Sequence, residues 1–239
     1  MSIKELIECG RRWTQDSRAV PNARYLSWEH CYKVFAPHIG KSPTDETADY
    51  LALHLGFYLA SWGMYRASSF LFYRDYRVHI PVVQEILKPE YALLHNIKCS
   101  KYLPNEDNCF STLYELSAQI KDIYEPVRES YYKEKGKREP NRDVSETLIT
   151  KVLMGVLGCT PAYDQYFILG LKGVIKTTEY GLPQSMIELT AFYQEHEREF
   201  EDLRTHVNDI TGMEYTQMKI VDMCFNQRGV EIDNAKKKG

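Results

Sequence analysis

The spacing of the apolar residues is the feature that most constrains the fold. Apolar side chains recur three and four positions apart in almost every segment, as at Leu51, Leu55, Leu59 and Trp62. This spacing places them on one face of an α-helix. Strict alternation of apolar and polar residues is scarce, and no Asn-Gly or Asp-Gly hairpin signal occurs. We therefore predict an all-α protein.

The composition is that of a globular chain, and it does not by itself indicate a binding partner. Hydrophobic residues make up 44% and charged residues 26% of 239 residues, which predicts one compact helical domain over residues 1–235 and a basic tail at 236–239. The net charge of −3 gives no overall positive field, so any contact with nucleic acid must come from a local basic face. Aromatic residues reach 13%, and they either form stacking surfaces or fill the core.

The sequence argues against several classes of site and location. The six cysteines stand singly, without a C-x-x-C pair or a histidine cluster at ligand spacing, so we predict no metal and no cofactor. The N-terminus lacks the apolar run of a secretory signal, which predicts a cytoplasmic protein. The most apolar window, residues 50–65, is shorter than the roughly 18 residues of a membrane span. We expect it to be a buried helix, and we expect no contact with membranes.

Helix boundaries can be predicted at several points. Thr44 precedes two acidic residues and is typical of a helix N-cap. Pro126 suggests separate helices over residues 110–124 and 126–133. Pro183 suggests the start of one long polar helix that ends near Val207. A last helix is expected over residues 216–227.

One segment combines features that can carry chemistry. A predicted helix ends at Gly158, a short loop with Pro161 follows, and Asp164 stands where the next helix begins. An aspartate at that point accepts backbone N–H bonds, and the positive end of the helix dipole stabilises its charge. A fixed carboxylate can stabilise developing positive charge or orient a water molecule. The alternative is that Asp164 only caps the helix.

This order of elements resembles the region around the catalytic aspartate of the helix-hairpin-helix superfamily of DNA base-excision glycosylases. The resemblance covers Ser145 to Phe167 and includes the small residue that ends the first helix, the proline in the loop and Asp164. More remotely, the chain is similar to small bacterial glycosylases that act against phages with modified bases. The chain departs from the superfamily at Arg138–Val144, where the glycine-rich hairpin that grips DNA has no counterpart.

The resemblance implies a base-excising enzyme that acts on double-stranded DNA. Such an enzyme flips the target base out of the duplex, because the glycosidic bond is inaccessible in the stack. Asp164 would then stabilise positive charge on the sugar and help a water molecule attack. Four aromatic residues are candidates for the base pocket, although each can instead belong to the core: Trp62, Tyr65, Tyr163 and Tyr166.

Basic residues near the same segments are candidates for phosphate contacts. A run of positive residues within 133–142 is interrupted by Gly136 and Pro140 and therefore predicts a loop, which either contacts phosphate or is simply solvated. Lys151 lies inside the matched helix, where we expect it to face solvent and not to act as a nucleophile. The complete set of candidate DNA-binding residues is Arg66, Lys135, Lys137, Arg138, Arg142 and Lys151.

The sequence thus leads to one preferred function and one rival. The preferred function is a monofunctional glycosylase that releases a modified base, for example modified cytosine in phage DNA. The rival is a helical interaction or regulatory protein with a tyrosine-rich surface, in which Asp164 has no catalytic role.

Overall fold

A computed structural model describes the chain except for residues 104–108, 137–142, 178–180, 183 and 239. The prediction of an all-α protein is confirmed, since the described residues contain α-helices and short 3-10 helices and no strand. The α-helices are α1 (Ile3–Ala19), α2 (Ser27–Phe35), α3 (Asp45–Ser61), α4 (Ile80–Ile86), α5 (Cys109–Glu134), α6 (Glu146–Val156), α7 (Gln165–Leu171), α8 (Gln184–Glu195), α9 (Glu197–Thr211) and α10 (Gln217–Lys238).

The chain divides into two compact units. The terminal unit comprises Met1–Ala23, Asn96–Phe110 and Gly158–Gly239, and the central unit comprises Arg24–His95 and Ser111–Leu157. A single domain over residues 1–235 stays a prediction. The basic tail continues helix α10, which runs to Lys238 and not to residue 227 as expected.

Helix α10 organises the terminal unit. It packs against α1, α7 and α9. A helix with apolar residues on all sides must be surrounded by other elements. The buried apolar residues of its first turns are Met218, Ile220, Val221, Met223, Cys224 and Phe225.

Helix α3 organises the central unit, where it packs against α2, α4 and α6. Its N-terminus is as predicted, because the Thr44 side chain accepts a hydrogen bond from the Thr47 backbone N–H. Of the predicted apolar face, Leu51, Leu55 and Leu59 are fully buried, whereas Trp62 is partly exposed. The expectation that the whole helix is buried was wrong.

A second apolar face of α3 is exposed to solvent. Tyr50, Leu53 and Phe57 are 51%, 49% and 58% exposed. Their spacing of three and four residues places them in one stripe along the helix. A central helix needs partners on every side, and α3 has them on only part of its surface. Apolar composition alone therefore could not show whether α3 is surrounded by other helices.

Two further boundaries differ from the sequence predictions. Helix α5 continues through Pro126, because Ile120, Tyr124 and Tyr131 bury one face on both sides of the proline. Burial of that face offsets the lost backbone hydrogen bond. The expected long helix after Pro183 is two helices, since His196 has φ −121° and ψ 28°, outside the helical region.

No helix in the described ranges combines the length and the apolar character that a membrane crossing requires.

Candidate functional site

Asp164 is the N-cap of α7, as the sequence predicted. Its Oδ1 atom accepts hydrogen bonds from the backbone N–H groups of Tyr166 and Phe167, each at 3.1 Å. The residue is partly exposed, and the Nδ2 group of Asn226 on α10 also lies 3.4 Å from Oδ1. Three donors therefore converge on one carboxylate oxygen. This fixes the carboxylate while the side chain still reaches the surface.

The loop before Asp164 is held from both ends. Near its start, the Thr216 hydroxyl donates to the backbone oxygen of Gly158 at 2.8 Å, and the Tyr102 hydroxyl donates to that of Cys159 at 2.9 Å. Near its end, the Ala162 N–H donates to Oδ1 of Asp222 at 3.1 Å. All these groups lie in the terminal unit, so α10, its N-terminal flank and Tyr102 hold the loop in a defined conformation.

Asp222 belongs to a buried ion pair. Lys219 Nζ lies 2.8 Å from Asp222 Oδ2, and the two side chains are 2% and 8% exposed. Lys219 also lies over the ring of Trp13, 4.8 Å from its centroid. Because each oxygen of Asp222 has a donor, the pair connects the loop before Asp164 to the core of the terminal unit.

Two glycines allow α7 and α10 to approach closely. A Cβ atom on Gly170 would lie 1.8 Å from the backbone oxygen of Phe225. A Cβ atom on Gly229 would lie 1.8 Å from that of Tyr166. Any other residue at either position would force the helices apart. This close contact brings Asn226 within reach of Asp164.

The polar residues of α10 were not among the residues predicted from the sequence. Lys219, Asp222 and Asn226 recur three and then four positions apart, in and directly after the mainly apolar stretch Met218–Phe225. That spacing defines a polar stripe along one face. A buried polar stripe requires polar partners. The pattern could therefore have predicted that α10 contacts a polar loop elsewhere in the chain.

The predicted aromatic residues of the terminal unit have different environments. Tyr163 is 1% exposed, its ring lies 5.2 Å from that of Phe167, and its hydroxyl accepts a hydrogen bond from Ser185 at 3.0 Å. The alternative that Tyr163 belongs to the core therefore describes it better than a role in a base pocket. Tyr166, in contrast, is partly exposed in the first turn of α7, close to Asp164.

Two candidate site residues of the central unit, Lys151 and Trp62, are in direct contact. Lys151 is only 4% exposed, and its Nζ atom donates to the backbone oxygen of Trp62 at 3.1 Å. The expectation that Lys151 faces solvent was wrong, because the core around α6 encloses every face of that helix. Trp62 is partly exposed, and its indole N–H donates to the Ser27 hydroxyl at 3.1 Å.

Tyr65 belongs to a hydrogen-bonded cluster that the sequence analysis did not identify. The Tyr65 hydroxyl lies 2.7 Å from Nε2 of His79, and the Tyr124 hydroxyl lies 2.6 Å from Nδ1. Burial lowers the pKa of His79 from 6.5 to about 3 and raises the pKa of Tyr65 to about 12. The imidazole is therefore neutral, with one tyrosine as donor and the other as acceptor. A lone histidine gives no sequence signal for such a cluster.

The structure describes three of the six candidate DNA-binding residues. Arg66 and Lys135 are exposed in the central unit, and Lys135 Nζ lies 3.6 Å from the ring centroid of Tyr73. Lys151 is buried. Lys137, Arg138 and Arg142 lie outside the described residues.

No group of three or more histidine, cysteine, aspartate or glutamate residues in the described part of the chain has a geometry that could hold a metal ion. Comparisons of the chain with protein-family models, with curated proteins and with solved structures find no match.

Proposed function

We propose that the protein is a monofunctional DNA glycosylase that hydrolyses the N-glycosidic bond of a modified base. The observation that carries the proposal is the fixed and partly exposed carboxylate of Asp164. Two backbone N–H groups and Asn226 hold its Oδ1 atom, within a loop that buried hydrogen bonds connect to α10. The resemblance of residues 145–167 to helix-hairpin-helix glycosylases suggests the reaction class.

The proposed chemistry needs one preorganised negative charge. As the bond between the base and C1′ breaks, its electron pair leaves with the base and positive charge develops on the sugar. Asp164 stabilises this charge electrostatically, and it needs no reorganisation because its position is already fixed. A water oxygen then bonds to C1′, and a water proton passes to solvent or to the departing base. The target base must first leave the stack, since C1′ is shielded within the duplex.

The proposal is tested by measuring free base. Purified protein is incubated with genomic DNA from phages with normal, hydroxymethylated and glucosylated cytosine, and released bases are identified by mass spectrometry. We expect release from at least one modified DNA, together with alkali-labile sites. Asp164→Asn keeps the oxygen that caps α7, so its free energy of unfolding should change by about 1 kcal/mol or less. Its base release should fall by at least about 100-fold.

Asp75→Asn is the matched control. Asp75 also caps a short helix, since its Oδ1 atom accepts a hydrogen bond from the Arg77 N–H at 2.9 Å, but it lies in the central unit. The Asp75→Asn variant should therefore release base at the wild-type rate. Base release by Asp164→Asn at that same rate would remove Asp164 from the mechanism.

A second function is favoured by a separate observation. The exposed stripe of Tyr50, Leu53 and Phe57 on α3 is an apolar surface of the kind that binds other proteins. It supports the rival proposal of a helical interaction protein without catalysis. The two proposals differ in a simple assay, because an interaction protein leaves no alkali-labile sites in any of the three DNA substrates.

A further inference from the structure

A small cavity in the central unit has the chemistry of an anion site. Its volume is about 160 Å³. This is below the roughly 300 Å³ at which pockets for drug-sized ligands begin, so the cavity suits a small group and not a nucleobase. Arg66 and Ser68 line its exposed rim, and the buried residues Met64, Phe70 and Leu148 form apolar walls.

The inner part of the cavity carries a well-oriented cation. Arg128 lines the cavity and is 7% exposed. Glu125 holds it through Nε at 2.5 Å, while the other oxygen of Glu125 accepts the Val144 N–H at 3.1 Å. The guanidinium also lies over the ring of Tyr132, 5.6 Å from its centroid. Arg128 is therefore preorganised before any ligand enters.

Two serine hydroxyls add donors to the same cavity. Ser69 Oγ accepts the Leu71 N–H at 3.2 Å, and Ser145 Oγ accepts the Leu148 N–H at 3.3 Å. Because each oxygen already acts as an acceptor, its own O–H proton can be donated to an anion.

The charges around the cavity favour an anion on balance. Asp143 also lines it, but this carboxylate is 68% exposed and lies 2.5 Å from Lys121 Nζ. The charged residues that line the cavity are thus two cations, Arg66 and Arg128, and one carboxylate, Asp143. The lining therefore carries a net positive charge in a chain whose overall charge is −3.

We infer that this cavity binds a terminal phosphate, that is, a phosphate monoester or inorganic phosphate. A phosphate with one substituent or none presents at least three oxygens to the arginines and hydroxyls, and a single substituent can leave past the exposed rim. A phosphodiester has two substituents, and both would have to extend out of the cavity through its exposed rim, because the inner end is buried. The inference concerns the central unit and does not depend on base release by Asp164.

The test uses inorganic phosphate and two oligonucleotides of the same sequence, one with a 5′-phosphate and one with a 5′-hydroxyl. Binding is measured by calorimetry and by backbone amide shifts in NMR spectra of the full chain. Arg66→Gln and Ser68→Asp change exposed residues of the rim and should leave the fold intact. We expect phosphate to shift the amides of residues 66–70 and 145–148, and each variant to raise the Kd by about tenfold or more.

Arg77→Gln is the control for the loss of one exposed positive charge. Arg77 lies near Asp75 and Asp49, outside the cavity, and should keep the wild-type Kd. If the oligonucleotide with the 5′-phosphate binds more tightly than the one with the 5′-hydroxyl, and Arg66→Gln abolishes this difference, the phosphate belongs to a nucleic-acid end. Binding of inorganic phosphate without that gain identifies a small phosphate ligand. The inference is overturned if phosphate shifts no amide of the cavity, or if Arg66→Gln and Arg77→Gln bind it equally.

Discussion

Asn226 on α10 directs its side-chain amide at the carboxylate of Asp164 at the start of α7, with Nδ2 and Oδ1 3.4 Å apart. The two residues are 62 positions apart in sequence. Their contact exists because Gly170 and Gly229 let the two helices approach to backbone contact. Helix packing therefore adds a third donor to the two backbone N–H groups that hold the candidate catalytic group.

Asn226→Ala tests this orientation. Loss of the amide should lower the free energy of unfolding by only about 1 kcal/mol, since the two backbone donors to Asp164 remain. Under the proposed function, kcat for base release should fall by about tenfold while KM is kept, because a displaced carboxylate stabilises the transition state less well. A purely structural role for Asn226 predicts unchanged kcat in the folded fraction.

Gly170→Ala and Gly229→Ala should each destabilise the protein by about 3 kcal/mol or more, because the new methyl group overlaps a backbone oxygen of the facing helix. Thermal unfolding of both variants checks this. Gly212→Ala is the control, since its Cβ would meet no atom within 4 Å and only the strain of φ +62° remains. That strain costs about 1–2 kcal/mol. Equal losses for all three variants would contradict the close contact of α7 and α10.

Lys219→Met should lower the free energy of unfolding by about 3–5 kcal/mol, because it leaves the buried charge of Asp222 without its cation. The double variant Lys219→Met/Asp222→Asn removes both charges but keeps an oxygen for the Ala162 N–H. It should be more stable than the single variant. Urea denaturation measures both values, and a double variant that is less stable than Lys219→Met would argue against a buried ion pair.

The buried imidazole of His79 should make stability depend on pH. Its pKa is lowered to about 3 in the folded chain, against 6.5 when unfolded, because burial disfavours the charged form. Between these values the unfolded state binds a proton that the folded state does not. Above pH 6.5 this penalty is absent, and below it stability falls by up to about 1.4 kcal/mol per pH unit.

His79→Gln isolates this contribution. The variant loses the hydrogen bonds to Tyr65 and Tyr124 and should be less stable than the wild type at pH 8. Its disadvantage should shrink as the pH falls from 6.5 to 4, because glutamine has no proton to gain. Urea denaturation across this range measures the difference, and a constant difference would exclude a buried neutral histidine.

Lys151 should not form a covalent intermediate with DNA. A Schiff base needs a lysine amine that can reach the sugar. Lys151 is 4% exposed and donates to the backbone oxygen of Trp62. Borohydride added during base release should therefore trap no protein–DNA adduct. An adduct that disappears in Lys151→Ala would instead make Lys151 the nucleophile and the enzyme bifunctional.

The sequence by itself determined the fold class and several local features. Apolar spacing predicted the helices, and local capping chemistry placed Thr44 and Asp164 at the starts of α3 and α7. These features depend on residues within a few positions of one another. Local chemistry did not predict the length of α5. Pro126 suggested a break, but burial on both sides of the proline kept the helix continuous.

Only the tertiary structure decided which side chains are buried and which residues meet. It enclosed Lys151, exposed Phe57, and surrounded His79 with two tyrosines. It also brought Asn226 to Asp164 across 62 positions. The reason is physical: helical periodicity fixes which residues share a face, but the neighbour that covers each face depends on how distant helices pack, and a single helical pattern carries no information about that neighbour.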